Sequence, residues 1–119
     1  MSVSFQGREV TIDGTRVQMN WRVLDAFELG ERVIVLLDPD DYLLDPNYKA
    51  QRRQGLQANR NLCAFSKTGS KLWDAEFPET ADYYFRISSR SPLRANSFSS
   101  YECEIDPDTG RIQSKTFLK

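Results

Sequence analysis

The sequence predicts an all-β fold: an antiparallel meander of about eight or nine strands, arranged as a sandwich, a barrel or a partial-propeller-like stack, with at most one short helix. Apolar and polar residues alternate with a period of two along most of the chain, which is typical of half-buried strands. Turn-forming residues separate these stretches at near-regular intervals. The 119 residues, 39% of them hydrophobic, suffice to bury one core, so we predict a single β domain over residues 1–119.

The N-terminal third contains the clearest strand signals. Short strands are predicted at Val3–Phe5 and Glu9–Ile12, and Asp13-Gly14 marks a tight turn after them. Alternation from Val17 to Val23 predicts one half-buried strand. Val33–Leu37 is continuously apolar, which indicates a strand that is buried on both faces.

The segment from residue 38 to residue 60 breaks the alternation. Asp-Pro pairs at 38–39 and 45–46 favour turns. Asn47 could cap a short helix that Gly55 ends, so we place the one helix between Asp45 and Gly55. An irregular excursion is the alternative, and long loops in compact domains are often functional.

Strands resume in the C-terminal half. Asn61–Phe77 is predicted to be a hairpin, with its turn at Ser66–Gly69. Four further strands are predicted at Tyr83–Ile87, Leu93–Phe98, Tyr101–Ile105 and Arg111–Leu118. The alternation also predicts that five side chains are buried together: Trp21, Val35, Trp73, Phe85 and Ile105.

Two stretches about 40 residues apart share one pattern. Asn61–Trp73 and Tyr101–Ile112 each contain a strand, a turn that ends in Thr-Gly, a basic residue and a second strand. Both resemble the strand-turn-strand unit of quinoprotein-type propeller repeats, in which a D-x-x-T-G-x-x-x-W turn recurs. The second stretch lacks the Trp, and two units cannot close a propeller. The resemblance therefore implies local structure and not quinone binding.

More broadly, the layout resembles a loosely characterised group of small bacterial proteins. The shared features are the V-I-V-L-L-D-P strand at Val33–Pro39, the hairpin at Asn61–Trp73 and the turn at Tyr101–Ile112. Some relatives are expected to be immunity proteins that neutralise bacterial toxins, including those of contact-dependent inhibition systems. The resemblance implies this role for the chain as a whole and ties it to no single residue.

Charge and composition narrow the functional classes. Lys and Arg number 16 and Asp and Glu 17, a net charge of −1, so the basic excess of a typical nucleic-acid-binding protein is missing. Residues 49–60 nevertheless form a local basic segment, which could be an interface as an alternative to the acidic residues described below. Its cations are Lys49, Arg52, Arg53 and Arg60.

The compartment is predicted from the start of the chain and from its apolar runs. No basic segment followed by an apolar run opens the sequence, so we expect no secretory signal. Val33–Leu37 is too short to cross a bilayer. We therefore expect a cytoplasmic protein with no membrane contact, in which Cys63 and Cys103 are free thiols.

Catalytic patterns are weak. The chain has no His, which removes Ser–His and Cys–His nucleophile pairs. Thr68–Lys71 lacks the full spacing of a phosphate loop, and Asp106–Gly110 begins a calcium loop without its later ligands. Glu102 and Glu104 lie on one strand face, whereas glycosidases place two carboxylates across a cleft. We expect no catalytic residue, no metal ion and no cofactor.

Two acidic groups form the candidate contact surface for a protein partner. The first contains Tyr42, an aromatic residue of a type favoured at interfaces, and the second surrounds Pro78. The predicted contact residues are Asp38, Asp40, Asp41, Tyr42, Asp45, Glu76, Glu79 and Asp82. Ordinary loop polarity and, for the four aspartates of the first group, a divalent-ion site are alternatives.

The leading hypothesis is a non-enzymatic protein-binding domain, in particular an immunity protein that neutralises a cationic toxin domain by covering it. Many toxin domains are cationic because they attack nucleic acid, and acidic residues on an inhibitor would speed association with them. The alternatives are an enzyme of unrecognised type and a structural or assembly module with an exposed sheet edge.

Overall fold

A computed structural model of the chain describes residues 1–46, 60–79 and 82–118, without the side chains of Tyr42 and Leu43. These residues form eleven strands and one short helix, α1 (Pro39–Leu43). The all-β prediction is confirmed. Within the described ranges, no helix has the length and apolar character needed to cross a lipid bilayer.

The strands form three antiparallel sheets, and none of the three closes on itself. The N-terminal sheet contains β1 (Val3–Gln6), β2 (Glu9–Ile12) and β3 (Thr15–Gln18). The central sheet contains β4 (Val23–Leu29), β5 (Arg32–Leu37), β6 (Leu62–Ser66) and β7 (Lys71–Asp74). The C-terminal sheet contains β8 (Tyr84–Ser89), β9 (Arg94–Ser97), β10 (Tyr101–Ile105) and β11 (Ile112–Phe117). In each sheet, neighbouring strands follow one another in the chain, so each sheet is a meander.

The strand predicted from Val17 to Val23 is two strands, and this is one reason why the count exceeds eight or nine. β3 ends and β4 begins on either side of a connection that contains Met19 and Trp21, both buried. The Met19 N–H donates to the carbonyl of Arg8 over 2.7 Å. The alternation continues through the connection because these side chains face the same apolar layer as the strands, and alternation alone does not show where one sheet ends.

The short helix α1 lies before the segment in which we predicted a helix. α1 begins directly after Asp38, whose Oδ1 accepts the backbone N–H of Asp40 over 2.9 Å. This is N-capping, followed by a proline at the first helical position, where its missing N–H costs nothing. The Asp-Pro pair therefore starts a helix here and not a turn. Residues 47–55, where we predicted the helix, lie outside the described residues, and that helix stays a prediction.

The central sheet is covered on both faces, and β5 is buried from Val33 to Leu37 as predicted. Alternate residues of β5 face two different apolar layers. The N-terminal layer lies between the N-terminal and central sheets and contains Val10, Ile12, Met19, Trp21, Val23, Val33, Val35, Leu37, Cys63 and Phe65. The C-terminal layer lies between the central and C-terminal sheets and contains Phe27, Ile34, Leu36, Leu62, Ala64, Trp73, Ala75, Phe77, Tyr84, Leu93, Ala95, Cys103 and Ile105.

The prediction that five side chains share one core is wrong. Trp21 and Val35 lie in the N-terminal layer, whereas Trp73 and Ile105 lie in the C-terminal layer. Phe85 belongs to neither and is 45% exposed. Alternation in a sequence identifies the two faces of a strand, but it does not identify which sheet covers each face.

Phe85 is exposed because β8 is irregular. The pairing of β8 with β9 shifts register between Tyr84 and Arg86. Tyr84, and not its neighbour, is fully buried. Its hydroxyl donates to the carbonyl of Glu76 over 2.6 Å, so its polar atom is satisfied in the C-terminal layer.

Cys63 and Cys103 are free and buried, as predicted. Each apolar layer contains one of them. Burial raises the pKa of the Cys63 thiol to about 12, and burial also raises the pKa of Cys103. Both groups are therefore neutral thiols at physiological pH.

The two stretches with the shared Thr-Gly pattern occupy equivalent places in two sheets. Each turn joins the third and fourth strands of a four-stranded meander. Gly69 and Gly110 both have positive φ, +87° and +77°. A Cβ on Gly69 would lie 3.0 Å from Val17 of the N-terminal sheet, and one on Gly110 would lie 2.5 Å from the ring of Trp73 in the central sheet. Each of these turns is thus packed against a side chain from the preceding sheet.

Trp73 links the central sheet to the C-terminal sheet. Its ring covers Gly110, and its Nε1–H donates to the carbonyl of Pro107 over 2.9 Å. Next to it, the Glu76 N–H donates to the carbonyl of Gly110 over 2.9 Å. The turn between β10 and β11 is therefore held to the end of β7 by packing and by hydrogen bonds.

We expect Gly110→Ala to destabilise the protein more than Gly14→Ala. Gly14 has a φ of +84° but open space around it, so its replacement should cost only the backbone strain, about 1–2 kcal/mol. Gly110→Ala adds a clash with the indole of Trp73, about 1–3 kcal/mol more. Urea unfolding followed by circular dichroism gives both values, and equal losses would show that the indole does not occupy this space.

Candidate functional site

The first acidic group surrounds α1, which is fastened to the connection between the N-terminal and central sheets. The Asp38 carboxylate forms an ion pair with the Arg22 guanidinium, whose Nε donates to it over 3.1 Å. The Asp41 carboxylate accepts the backbone N–H of Arg22 over 2.6 Å. The Asp45 carboxylate accepts the indole N–H of Trp21 over 3.0 Å. Carboxylates before, within and after the helix therefore fix its position.

The carboxylate of Asp38 is buried and has a structural role. The residue is 5% exposed, caps α1 and holds Arg22. The hydrogen bond with Asp38 raises the pKa of Arg22. A partner protein would not meet this carboxylate on the surface.

The remaining residues of the first group differ in exposure. Asp40 is exposed, and the side chain of Asp41 is 30% exposed. Arg8 lies beside them, with its Nη2 3.6 Å from Asp41. The side chain of Tyr42 lies outside the described residues.

The second acidic group is anchored to the C-terminal sheet. Asp82 is 3% exposed, and its carboxylate accepts the N–H of Ser99 over 3.2 Å and also the Ser99 hydroxyl. Glu76 is exposed, but its Oε1 accepts the N–H of Ile112 over 3.0 Å. Glu79 is exposed. Asp82 is thus a buried acceptor, whereas the two glutamates present carboxylates at the surface.

The basic segment that we considered as a second interface is described only at Arg60. Lys49, Arg52 and Arg53 lie outside the described residues. The Arg60 Nη1 donates to the carbonyl of Ala75 over 3.2 Å, and the guanidinium lies 5.9 Å from the ring centre of Phe77. Arg60 is therefore ordered against the central sheet.

Two features escaped the sequence analysis, and the first is an aromatic end of the C-terminal sheet. The rings of Tyr83 and Phe98 stack at 5.0 Å, and those of Tyr101 and Phe117 meet edge-on at 5.5 Å. Both pairs lie where β9 ends, β10 begins and β11 ends. Phe98 is 65% and Phe117 59% exposed. Alternation predicts which face of a strand is buried. It does not predict that aromatic side chains at the end of a sheet stay exposed.

The second feature is a cavity of about 270 Å³ between the connection that contains Trp21 and the face of the central sheet. Its lining residues come from distant parts of the sequence, which explains why no local pattern indicated it. They are Gln18, Met19, Asn20, Trp21, Leu37, Arg60, Cys63, Phe65, Lys71 and Asp74.

A metal ion could be held only if the described part of the chain grouped enough side chains to bind it. No three His, Cys, Asp or Glu side chains are grouped there in a way that could hold a cation. The first acidic group, which we considered as a divalent-ion site, instead uses Asp38, Asp41 and Asp45 to accept hydrogen bonds from Arg22 and Trp21.

We expect Asp38→Ala to lower the free energy of unfolding by about 2 kcal/mol, because it removes an N-cap and a charge-assisted hydrogen bond. Asp40→Ala should change it by less than about 0.5 kcal/mol, since an exposed residue is replaced. Thermal unfolding of the two variants tests this. A similar loss in both would mean that the buried carboxylate does not hold α1 in place.

Comparison with known proteins identifies a family. Residues 1–117 match the model of a family described as a domain of unknown function (DUF7957), and the chain belongs to this family. No curated protein matches the chain, and no solved structure does.

Proposed function

We propose that this member of the DUF7957 family is a protein-binding domain that performs no chemistry of its own, and that it neutralises a cationic toxin domain by covering it. The observation that carries the proposal is the fixed position of α1. Three carboxylates fasten the acidic segment to the Arg22–Trp21 connection. A surface that is already ordered loses little conformational entropy when a partner binds.

The surface around α1 has a defined charge pattern. A shallow depression is lined by Gly7, Arg8, Arg22, Asp40 and Asp41. Asp41 and Asp38 form ion pairs with Arg8 and Arg22 respectively. Asp40 contributes only its backbone N–H to the helix cap, so its exposed carboxylate is the natural contact for a cation of the partner. Arg8 is suited to meet a carboxylate of the partner beside it.

The toxin partner is supported by sequence features. The chain resembles small bacterial proteins some of which are expected to be immunity proteins. An inhibitor that works by covering its target needs a stable scaffold and complementary charge, and it needs no catalytic group. The lack of His in the sequence agrees with such a role.

Charge reversal at α1 tests the proposal. In binding kinetics with the product of a neighbouring toxin gene, we expect Asp40→Lys to reduce the association rate by about tenfold at low salt, since it replaces attraction with repulsion. Glu31→Lys is the control: it makes the same charge change at an exposed residue of the β4–β5 turn, and circular dichroism checks that loss of its ion pair with Lys67 leaves the fold intact. No binding to any such product, or equal effects of the two variants, would contradict the proposal.

A second candidate function is self-assembly, which the open edge of β11 favours. β11 is the end strand of the C-terminal sheet, and Phe117 on it is 59% exposed. Unpaired edges can pair with another chain. Sedimentation velocity over a range of concentrations would distinguish the two functions: a dimer that Phe117→Ser dissociates supports assembly, and a monomer at all concentrations excludes it.

A further inference from the structure

We propose that the cavity beside Trp21 binds a small carboxylate that has an apolar or aromatic body. This inference does not depend on the proposed function, because the cavity lies under the connection between the N-terminal and central sheets and Asp40 does not line it.

The cavity exists because the N-terminal sheet does not cover the whole face of the central sheet. Cys63 and Phe65 of β6 face the N-terminal layer. On the neighbouring strand β7, Asp74 lies opposite Cys63 and Lys71 lies opposite Phe65. β7 therefore carries charged residues on the face where β5 and β6 carry apolar ones, and the N-terminal layer ends at this boundary.

The inner wall of the cavity is apolar. Met19, Trp21, Leu37 and Phe65 line it, and each is less than one-tenth exposed. An indole and a phenyl ring on opposite elements are well suited to hold a flat or aliphatic ligand body. Apart from Cys63, the other lining residues are polar or charged, and such groups can fix the orientation of a ligand.

The polar side of the cavity has an excess of positive charge. Its ionic groups are Arg60, Lys71 and Asp74, and Lys71 Nζ lies 2.7 Å from Asp74 Oδ1. That pair is neutral as a unit, so Arg60 supplies the net charge. Arg60 donates one N–H to a backbone carbonyl, and its planar guanidinium has five such donors. A carboxylate is the anion that a guanidinium binds with two parallel hydrogen bonds.

The volume limits the size of the ligand. About 270 Å³ is slightly below the lower end of the range for drug-sized ligands. The site therefore suits a monocarboxylate with one ring or a short acyl chain.

The test uses the purified chain and 4-phenylbutyrate, with neutral 4-phenylbutanamide as the matched ligand. We expect the acid to bind with a dissociation constant on the order of 1 mM or tighter and the amide at least about tenfold more weakly. In ¹⁵N-resolved NMR spectra, the acid should shift the indole N–H of Trp21, while that of Trp73, in the other apolar layer, should stay unchanged.

Variants of the wall complete the test. Arg60→Met should weaken binding of the acid by about tenfold or more, because it removes the charge and its hydrogen bonds but keeps an apolar stem. Arg111→Met, which removes an exposed cation elsewhere, should leave the affinity unchanged. The proposal is overturned if the acid does not bind, if acid and amide bind equally well, or if the wild-type spectra shift at Trp73 and not at Trp21.

Discussion

The structure depends on one constraint: both faces of the central sheet must be kept away from water. β5 and most of β6 are apolar on both faces, so neither of the outer sheets alone could bury them. The three short strands of the N-terminal sheet cover one face, and the C-terminal sheet covers the other. The outer sheets need only one apolar face each, which is why their other residues are largely polar. Apolar area removed from water is the main favourable contribution to folding, and here it is shared between two thin layers.

Local patterns in the sequence predicted the parts of the fold that local physics decides. The apolar run of β5, the glycine turns and the alternation of β10 were all recognisable because a strand face or a turn conformation requires particular residues at particular positions. Phe85 was misplaced because a register shift in β8 reverses the faces, and such a shift is set by pairing with a strand that lies further along the chain. The division into two layers was also out of reach, since it depends on which sheet covers which face.

In the candidate site too, the sequence showed where the acidic residues lie but did not show which of them are buried. Acidic residues in predicted loops were interpreted as surface groups, and Asp40 and Glu79 are indeed exposed. Asp38 and Asp82 are buried because backbone N–H groups and an arginine beside them need acceptors. The Asp-Pro pair was a usable signal for the cap at Asp38, whereas the partner of Asp82 is 17 residues away in the sequence. Trp21 connects the two proposed sites: its ring lines the cavity, and its indole N–H holds Asp45 beyond α1.

Each apolar layer contains one cysteine, and the rate at which that thiol is chemically modified reports on how often the layer opens. Only a thiolate reacts with disulfide reagents, and a neutral buried thiol must first be exposed by an opening of the structure. Cys103 reports on separation of the central and C-terminal sheets, whereas Cys63, which also lines the cavity beside Trp21, reports on opening of the N-terminal layer at that cavity. A comparison of their modification rates therefore shows which of the two layers opens more readily, without any introduced cysteine.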